Sequence, residues 1–174
     1  QRLDLSKDMA VLLFAENTNG KFKKPVFESA SYGKELADKL GVELHAVALG
    51  IVDADSMAQL GKYGVAKVHT VADARVTTFN DQVYAKAISA AAKAIGAKAI
   101  VMAQTYDGKA VAPRVAVRVD GAMVSGSISN PVLDGGSMVF TRLVNSGKGL
   151  ETLKTNRPVV VISVKVNSYG LKES

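Results

Sequence analysis

Cysteine is absent from all 174 residues, and histidine occurs only at His45 and His69. Without cysteine there is no disulfide, no thiolate-bound zinc and no cysteine nucleophile. Two histidines are too few for a multi-histidine metal centre. Aromatic residues make up 6% of the chain, and no RNA-stacking motif interleaves them with basic residues. No apolar run is long enough to span a bilayer as a helix. The start lacks the basic, apolar and small-residue pattern of a signal peptide. Together these absences point to a cytoplasmic protein, or one in an equivalent reducing space, with no membrane insertion.

Sequence signatures of chemistry are also missing. No G-x-G-x-x-G follows the first apolar run, and no Walker A pattern is present, since Gly147-Lys148-Gly149 lacks the spacing. There is no G-x-S-x-G elbow and no H-E-x-x-H. Paired carboxylates such as Asp53 and Asp55 stand where helix capping accounts for them. No constellation supports an enzyme. The net charge of +6 comes from dispersed lysines, with only short groups at residues 21–24 and 154–157. It reads as a solvated surface that prefers an acidic partner face, not as a nucleic-acid site.

What is present is alternation. Residues 1–8 are polar without periodicity, and Met9 reads as a natural start, so 1–8 is expected to be an added extension. Residues 10–15 form a continuous apolar run, the mark of a strand covered on both faces. After a turn at 16–20, Pro25 suits a helix start, and Val26, Ala30, Gly33, Ala37 and Leu40 mark one helical face that Gly41 ends. A strand is expected over 42–49, with His45 as a tolerated strand histidine. A short helix capped by Asp53 and stopped by Gly61 follows, then a strand over 66–71 in which His69 reads as His45 does. Asn80 caps an alanine-rich helix that Gly96 ends.

The central stretch is residues 99–116. The run from Ala99 to Ala103 reads as a buried strand, and Thr105 to Lys109 as a polar turn around Asp107-Gly108. A helix carrying Val111, Val115 and Val119 follows. Proline belongs in a first turn, so Pro113 implies a helix that begins near Val111 or Ala112, or one that begins at Gly108 and kinks. Backbone N–H groups near Gly108 and Lys109 then face the crevice where open α/β sheets bind ligands. A helix N-terminus there suits an anion, although many such turns bind nothing.

Strand and helix alternate four times up to Val119, which implies an α/β fold with a parallel core. After Asp120-Gly121 the pattern changes to strands over 123–128, 138–144, 149–155 and 159–166. Such close spacing suggests antiparallel additions to the sheet edge. The last of these, Val159-Val160-Val161-Ile162-Ser163-Val164, is β-prone enough to return into the core. Residues 9–166 are thus expected to form one domain. Residues 167–174 read as a tail or the start of a linker.

Three ordered blocks carry a family resemblance. The first is Val11-Leu12-Leu13-Phe14-Ala15-Glu16, with residues 25–41 behind it. The second is Asp107-Gly108-Lys109 through Pro113-Arg114-Val115-Ala116, followed by Val124-Ser125-Gly126-Ser127-Ile128. The third runs from Thr141-Arg142 through Asn145-Ser146-Gly147-Lys148 to the strand at 159–164. In order and spacing the chain resembles the amino-terminal domain of the electron-transfer flavoprotein alpha subunit. The resemblance implies a three-layer α/β fold, an open twisted sheet of the nucleotide-binding, adenine nucleotide alpha hydrolase-like type, with antiparallel strands added after residue 120.

The same resemblance implies an electron-carrier subunit and not a catalyst. Such a subunit pairs with a beta subunit. Its FAD, held mostly in a carboxy-terminal domain, shuttles electrons from dehydrogenases such as acyl-CoA dehydrogenases, as in fatty acid β-oxidation, to a quinone reductase or another acceptor. That FAD domain's motifs (a G-S-R-P-like turn, Q-T-G and G-I-S-G-A) are missing here, so little or no FAD is expected on these residues. The related beta subunit binds AMP in an equivalent crevice, which the resemblance maps to Ala15-Glu16, Leu49-Gly50 and residues 105–114. The crevice candidates are therefore Glu16, Gly50, Thr105, Gly108, Lys109 and Arg114. Glu16 puts negative charge at the crevice mouth, which disfavours a phosphate, so AMP is not the expected occupant. Arg114 and Arg142 are each open to a structural ion pair or, for Arg114, to a face toward the flavin domain. The competing reading is a stand-alone adenine-nucleotide-binding module of the universal-stress type.

Overall fold

The computed structural model describes residues 9–144 and 146–174, so the extension expected over 1–8 lies outside them. The central sheet begins with β1 (Ala10–Phe14), β4 (Glu43–Leu49), β5 (Val65–Val71) and β6 (Ala99–Ala103). It is completed by β7 (Ala122–Ser127), β8 (Val132–Asp134), β9 (Ser137–Val144), β10 (Gly149–Thr155) and β11 (Val160–Val164). Strand order is β10-β9-β7-β11-β6-β1-β4-β5, with β8 beside β9. From β7 to β5 every pairing is parallel, and β8, β9 and β10 are antiparallel.

Helices cover the parallel part on both faces, which makes three layers. α1 (Lys24–Leu40) and α2 (Ala54–Gly61) lie on one side, over Val11, Leu13, Val101 and Ile162. α3 (Asp81–Ala94) and α4 (Tyr106–Arg118) lie on the other, over Leu12, Phe14, Ile100 and Val161. Neighbouring residues of β1 thus enter opposite cores, which is why the strand is apolar throughout. Each fully buried large aliphatic side chain contributes about 1.5–3 kcal/mol. β9 and β10 extend past the helices, and there exposure alternates. Phe140 and Leu153 turn into the α1 side of the core, while Leu143 and Leu150 face outward.

Several local expectations need correction. β7 is not an antiparallel addition: β11 inserts between it and β6 and pairs parallel with both. Asp53 precedes α2, but its side chain makes no capping bond, and Gly61 is the last helical residue without a left-handed stop. The turn at 16–20 is a small hairpin of β2 (Asn17–Thr18) and β3 (Lys21–Phe22). α4 starts at Tyr106, earlier than either expected start, because the Thr105 hydroxyl oxygen caps the Gly108 N–H at 3.1 Å. Pro113 therefore sits in mid-helix on an exposed face, and Arg114 beside it is not near a helix start.

Residues 167–174, read as a tail, lie along α1. The Glu28 carboxylate, 2% exposed, accepts backbone N–H bonds from Asn167 (2.8 Å), Tyr169 (3.1 Å) and Gly170 (2.8 Å). Ser31 Oγ accepts the Lys172 N–H at 2.9 Å, and Tyr169 packs edge-on against Tyr32.

Candidate functional site

At the carboxyl ends of β1, β4 and β6 the chain makes the crevice expected of an open α/β sheet. Its floor is the end of β6 and the first turn of α4. Gly108 sets how closely these approach: a Cβ there would overlap the Ala103 carbonyl oxygen. The small residue is thus required by helix–strand packing, whatever the crevice holds.

The mouth is filled by the chain itself. Glu16 follows β1, and its Oε2 accepts the Thr105 hydroxyl at 2.7 Å, while Thr105 Oγ1 accepts the Gly108 N–H. The carboxylate thus lies at the N-terminus of α4, where the helix dipole favours negative charge and where an external anion would otherwise sit. Burial raises the Glu16 pKa, and the nearby Asp107 carboxylate raises it further, against the opposing effects of Thr105 and Lys23. Burial also raises the Tyr84 phenol, helped by the charges of Asp107 and Glu16.

The β2–β3 hairpin closes the side. Asn17 Nδ2 donates to the Leu49 carbonyl at 2.8 Å, and the Asp53 N–H donates to the Gly20 carbonyl at 3.1 Å. Gly20 is left-handed, at φ 82°, and a Cβ there would press on the Ile51 carbonyl oxygen. Glu16 and Asp107 line two hollows at this end of the sheet. One, about 240 Å³, also has Thr18, Lys23, Pro25 and Thr105 on its wall. The other, about 280 Å³, is walled by Phe14, Phe79 and Tyr84. Small-molecule sites commonly have volumes of about 300–1,000 Å³. Neither hollow fits a flavin dinucleotide, whose pyrophosphate would meet two carboxylates.

Of the sequence candidates, the fold brings Glu16, Thr105 and Gly108 together. Gly50, at φ 94°, is tied by its N–H to the Val71 carbonyl and lines neither hollow. Lys109 is exposed on α4, away from both. Arg114 joins α4 to α3 through Asp81 at 2.9 Å, a half-exposed ion pair. Arg142 pairs with Glu151 across β9 and β10 at 2.7 Å and donates to the Ser125 carbonyl at 3.3 Å. Asp107, Tyr84 and Asn17 were not singled out as site residues. Asp107 follows Thr105 by two positions and its acidity was a visible signal, but the hairpin bond of Asn17 had none. His45 and His69 meet, Nδ1 to Nε2 at 3.1 Å, with Glu43 on the other ring nitrogen of His45 at 2.8 Å. Among the described residues no group of three or more His, Cys, Asp or Glu is placed to hold a metal, and no helix is long and apolar enough to cross a membrane.

Comparison with known protein families matches residues 11–173 to the electron transfer flavoprotein domain. The chain belongs to the electron transfer flavoprotein family. Among curated proteins, the family member is 29% identical to the electron transfer flavoprotein subunit alpha of Thermoanaerobacterium thermosaccharolyticum, over 83% of this chain and 44% of that protein. It is 26% identical to the subunit alpha of Bacillus subtilis, over 94% of this chain and 49% of that protein. A further relative is the acryloyl-CoA reductase electron transfer subunit beta of Anaerotignum propionicum, 28% identical over 67% of this chain and 32% of that protein. The chain spans about half the length of the alpha subunits it matches. It is an electron transfer flavoprotein domain of the alpha-subunit type, corresponding to the amino-terminal part.

Proposed function

We propose that these residues are the scaffold half of an electron-carrying alpha subunit. In this reading they dock a beta subunit and support an FAD domain that continues from residues 167–174. The FAD passes electrons between dehydrogenases, such as acyl-CoA dehydrogenases, and a quinone reductase or another acceptor. The scaffold catalyses nothing by itself and works in the cytoplasm. The observation that carries the reading is Glu16 bound to Thr105 at the α4 N-terminus, which puts the chain's own anion where a nucleotide phosphate would bind.

Size-exclusion chromatography of the chain mixed with a beta subunit of the same family tests the docking. A co-eluting complex is expected, and two independent peaks at micromolar concentration would contradict it. Calorimetry with AMP and ATP tests the stand-alone nucleotide module. The closed crevice predicts no heat with either, and saturable binding of one would favour the module.

A further inference from the structure

The crevice uses only the first turn of α4. The helix buries Gly108, Val111, Ala112, Val115 and Ala116 and turns a different set of residues outward. Tyr106 is 87% exposed and Val117 82% exposed, and both rank among the most exposed large apolar residues described. With Lys109 and Pro113 they form one row at steps of three and four. Arg114 and Arg118 form the adjacent row, one turn apart. Between this face and the first turn of α3 lies an open hollow of about 520 Å³ lined by Gln82, Pro113, Arg114, Val117 and Arg118.

The charges of this face are largely unanswered. Arg114 shares Asp81 at its edge. Among the described residues neither Lys109 nor Arg118 has an ion-pair partner. A merely solvated helix face has little use for a valine and a tyrosine this exposed beside a concavity. Apolar anchors flanked by arginine are the usual make-up of an interface centre.

We infer that the outer face of α4 is a docking surface for an acidic, amphipathic segment of a partner protein. An aliphatic side chain of that segment enters the hollow against Pro113 and Val117. Two carboxylates one helical turn apart on the segment pair with Arg114 and Arg118. Charge complementarity selects the partner: Lys109, Arg114 and Arg118 outnumber Asp81 at the edge and Asp107 in the first turn, so the face attracts a negative segment and repels a second copy of itself. The inference does not depend on the electron-transfer reading or on the crevice.

The test is an NMR titration of the isotope-labelled chain with an acidic helical probe, a peptide of roughly fourteen residues (about four turns) with Glu at i and i+4 flanking one Leu. A Lys-for-Glu version of that peptide, and inorganic pyrophosphate, are the controls. Expected are shift changes confined to residues 82 and 106–118, absent with the lysine peptide. Arg118→Glu and Val117→Ser should each weaken binding about tenfold, the effect of losing one significant contact. Both residues are exposed, and unchanged shifts elsewhere in each variant establish that it is folded. Three outcomes of the titration overturn the inference: no shifts on α4, affinity unchanged from wild type in both variants, or full reproduction by pyrophosphate with Val117→Ser unaffected, which means a simple anion site. Shift changes of the chain alone on dilution would mean self-association and would also overturn it.

Discussion

Replacing Glu28 with alanine should loosen the last eight residues before anything else moves. Its carboxylate is the sole side-chain acceptor for three backbone N–H groups, at Asn167, Tyr169 and Gly170. If all three stayed buried without a partner, at about 1–3 kcal/mol each, the cost would reach about 3–9 kcal/mol. The segment has an alternative, which is to lift off α1 and let water satisfy those groups. The cost is then capped by what else holds it down. The Tyr32–Tyr169 pair contributes about 1 kcal/mol and the Ser31–Lys172 backbone bond another ~1 kcal/mol. The exposed Lys172–Glu35 ion pair, at 3.8 Å, adds little. With apolar contact of the Tyr169 ring included, the expected loss is about 3 kcal/mol, or roughly 6–12 °C in Tm for a domain of this size. Urea unfolding measures the total, and hydrogen exchange resolved by residue locates it. Amides at 167–172 should exchange much faster, while those of β1 and β6 should keep their order of protection. A loss under about 0.5 kcal/mol, the range of an ordinary surface change, with unchanged exchange at 167–172, would refute the reasoning.

Three further predictions follow from the same geometry. Gly108→Ala should destabilise by about 3 kcal/mol, because its Cβ meets the Ala103 backbone oxygen and not a side chain able to swing away; thermal unfolding measures it, and a neutral result would mean the α4 N-terminus is not packed as described. Tyr32→Phe should cost about 1–2 kcal/mol in urea titration, since the hydroxyl lies 2.9 Å from both Ser127 Oγ and the Ser129 carbonyl in a buried setting. Glu16→Gln should change the pH dependence. A carboxyl raised in the fold binds protons more tightly folded than unfolded, so the wild type loses stability as pH rises from the ordinary value of 4.5 through the raised one. The variant lacks that loss, so its Tm advantage should grow between about pH 4 and pH 7; a constant difference would contradict it.

The alternating core was legible because the central strands are covered on both faces, and β1 and β6 are apolar without interruption. Helix ends marked by a single residue were legible too: Gly41 is left-handed, and the Asn80 side chain accepts from two N–H groups of α3. The start of α4 was not. The rule that proline belongs in a first turn misplaced it, because Pro113 stands on an exposed face and the burial of Val111, Ala112, Val115 and Ala116 holds the helix on both sides of it. The direction of β7 was hidden for another reason: its parallel partner is β11, more than thirty residues later. Glu28 offered no signal at all, since an acid on a helix resembles solvated surface until its partners arrive some 140 residues on. At the site, the charge of Glu16 was readable. The hairpin that closes the crevice was not, because its anchors are backbone groups distant in sequence, the carbonyl of Leu49 at the end of β4 and the N–H of Asp53 beyond it.

The central proposal is that Glu16 occupies the anion position of the crevice, so that these residues by themselves hold no flavin. The most direct test is to incubate the purified chain with excess FAD, desalt it and record the visible spectrum. The account predicts a colourless protein. Flavin absorbance retained at one equivalent per chain would contradict it and place a cofactor site within these residues.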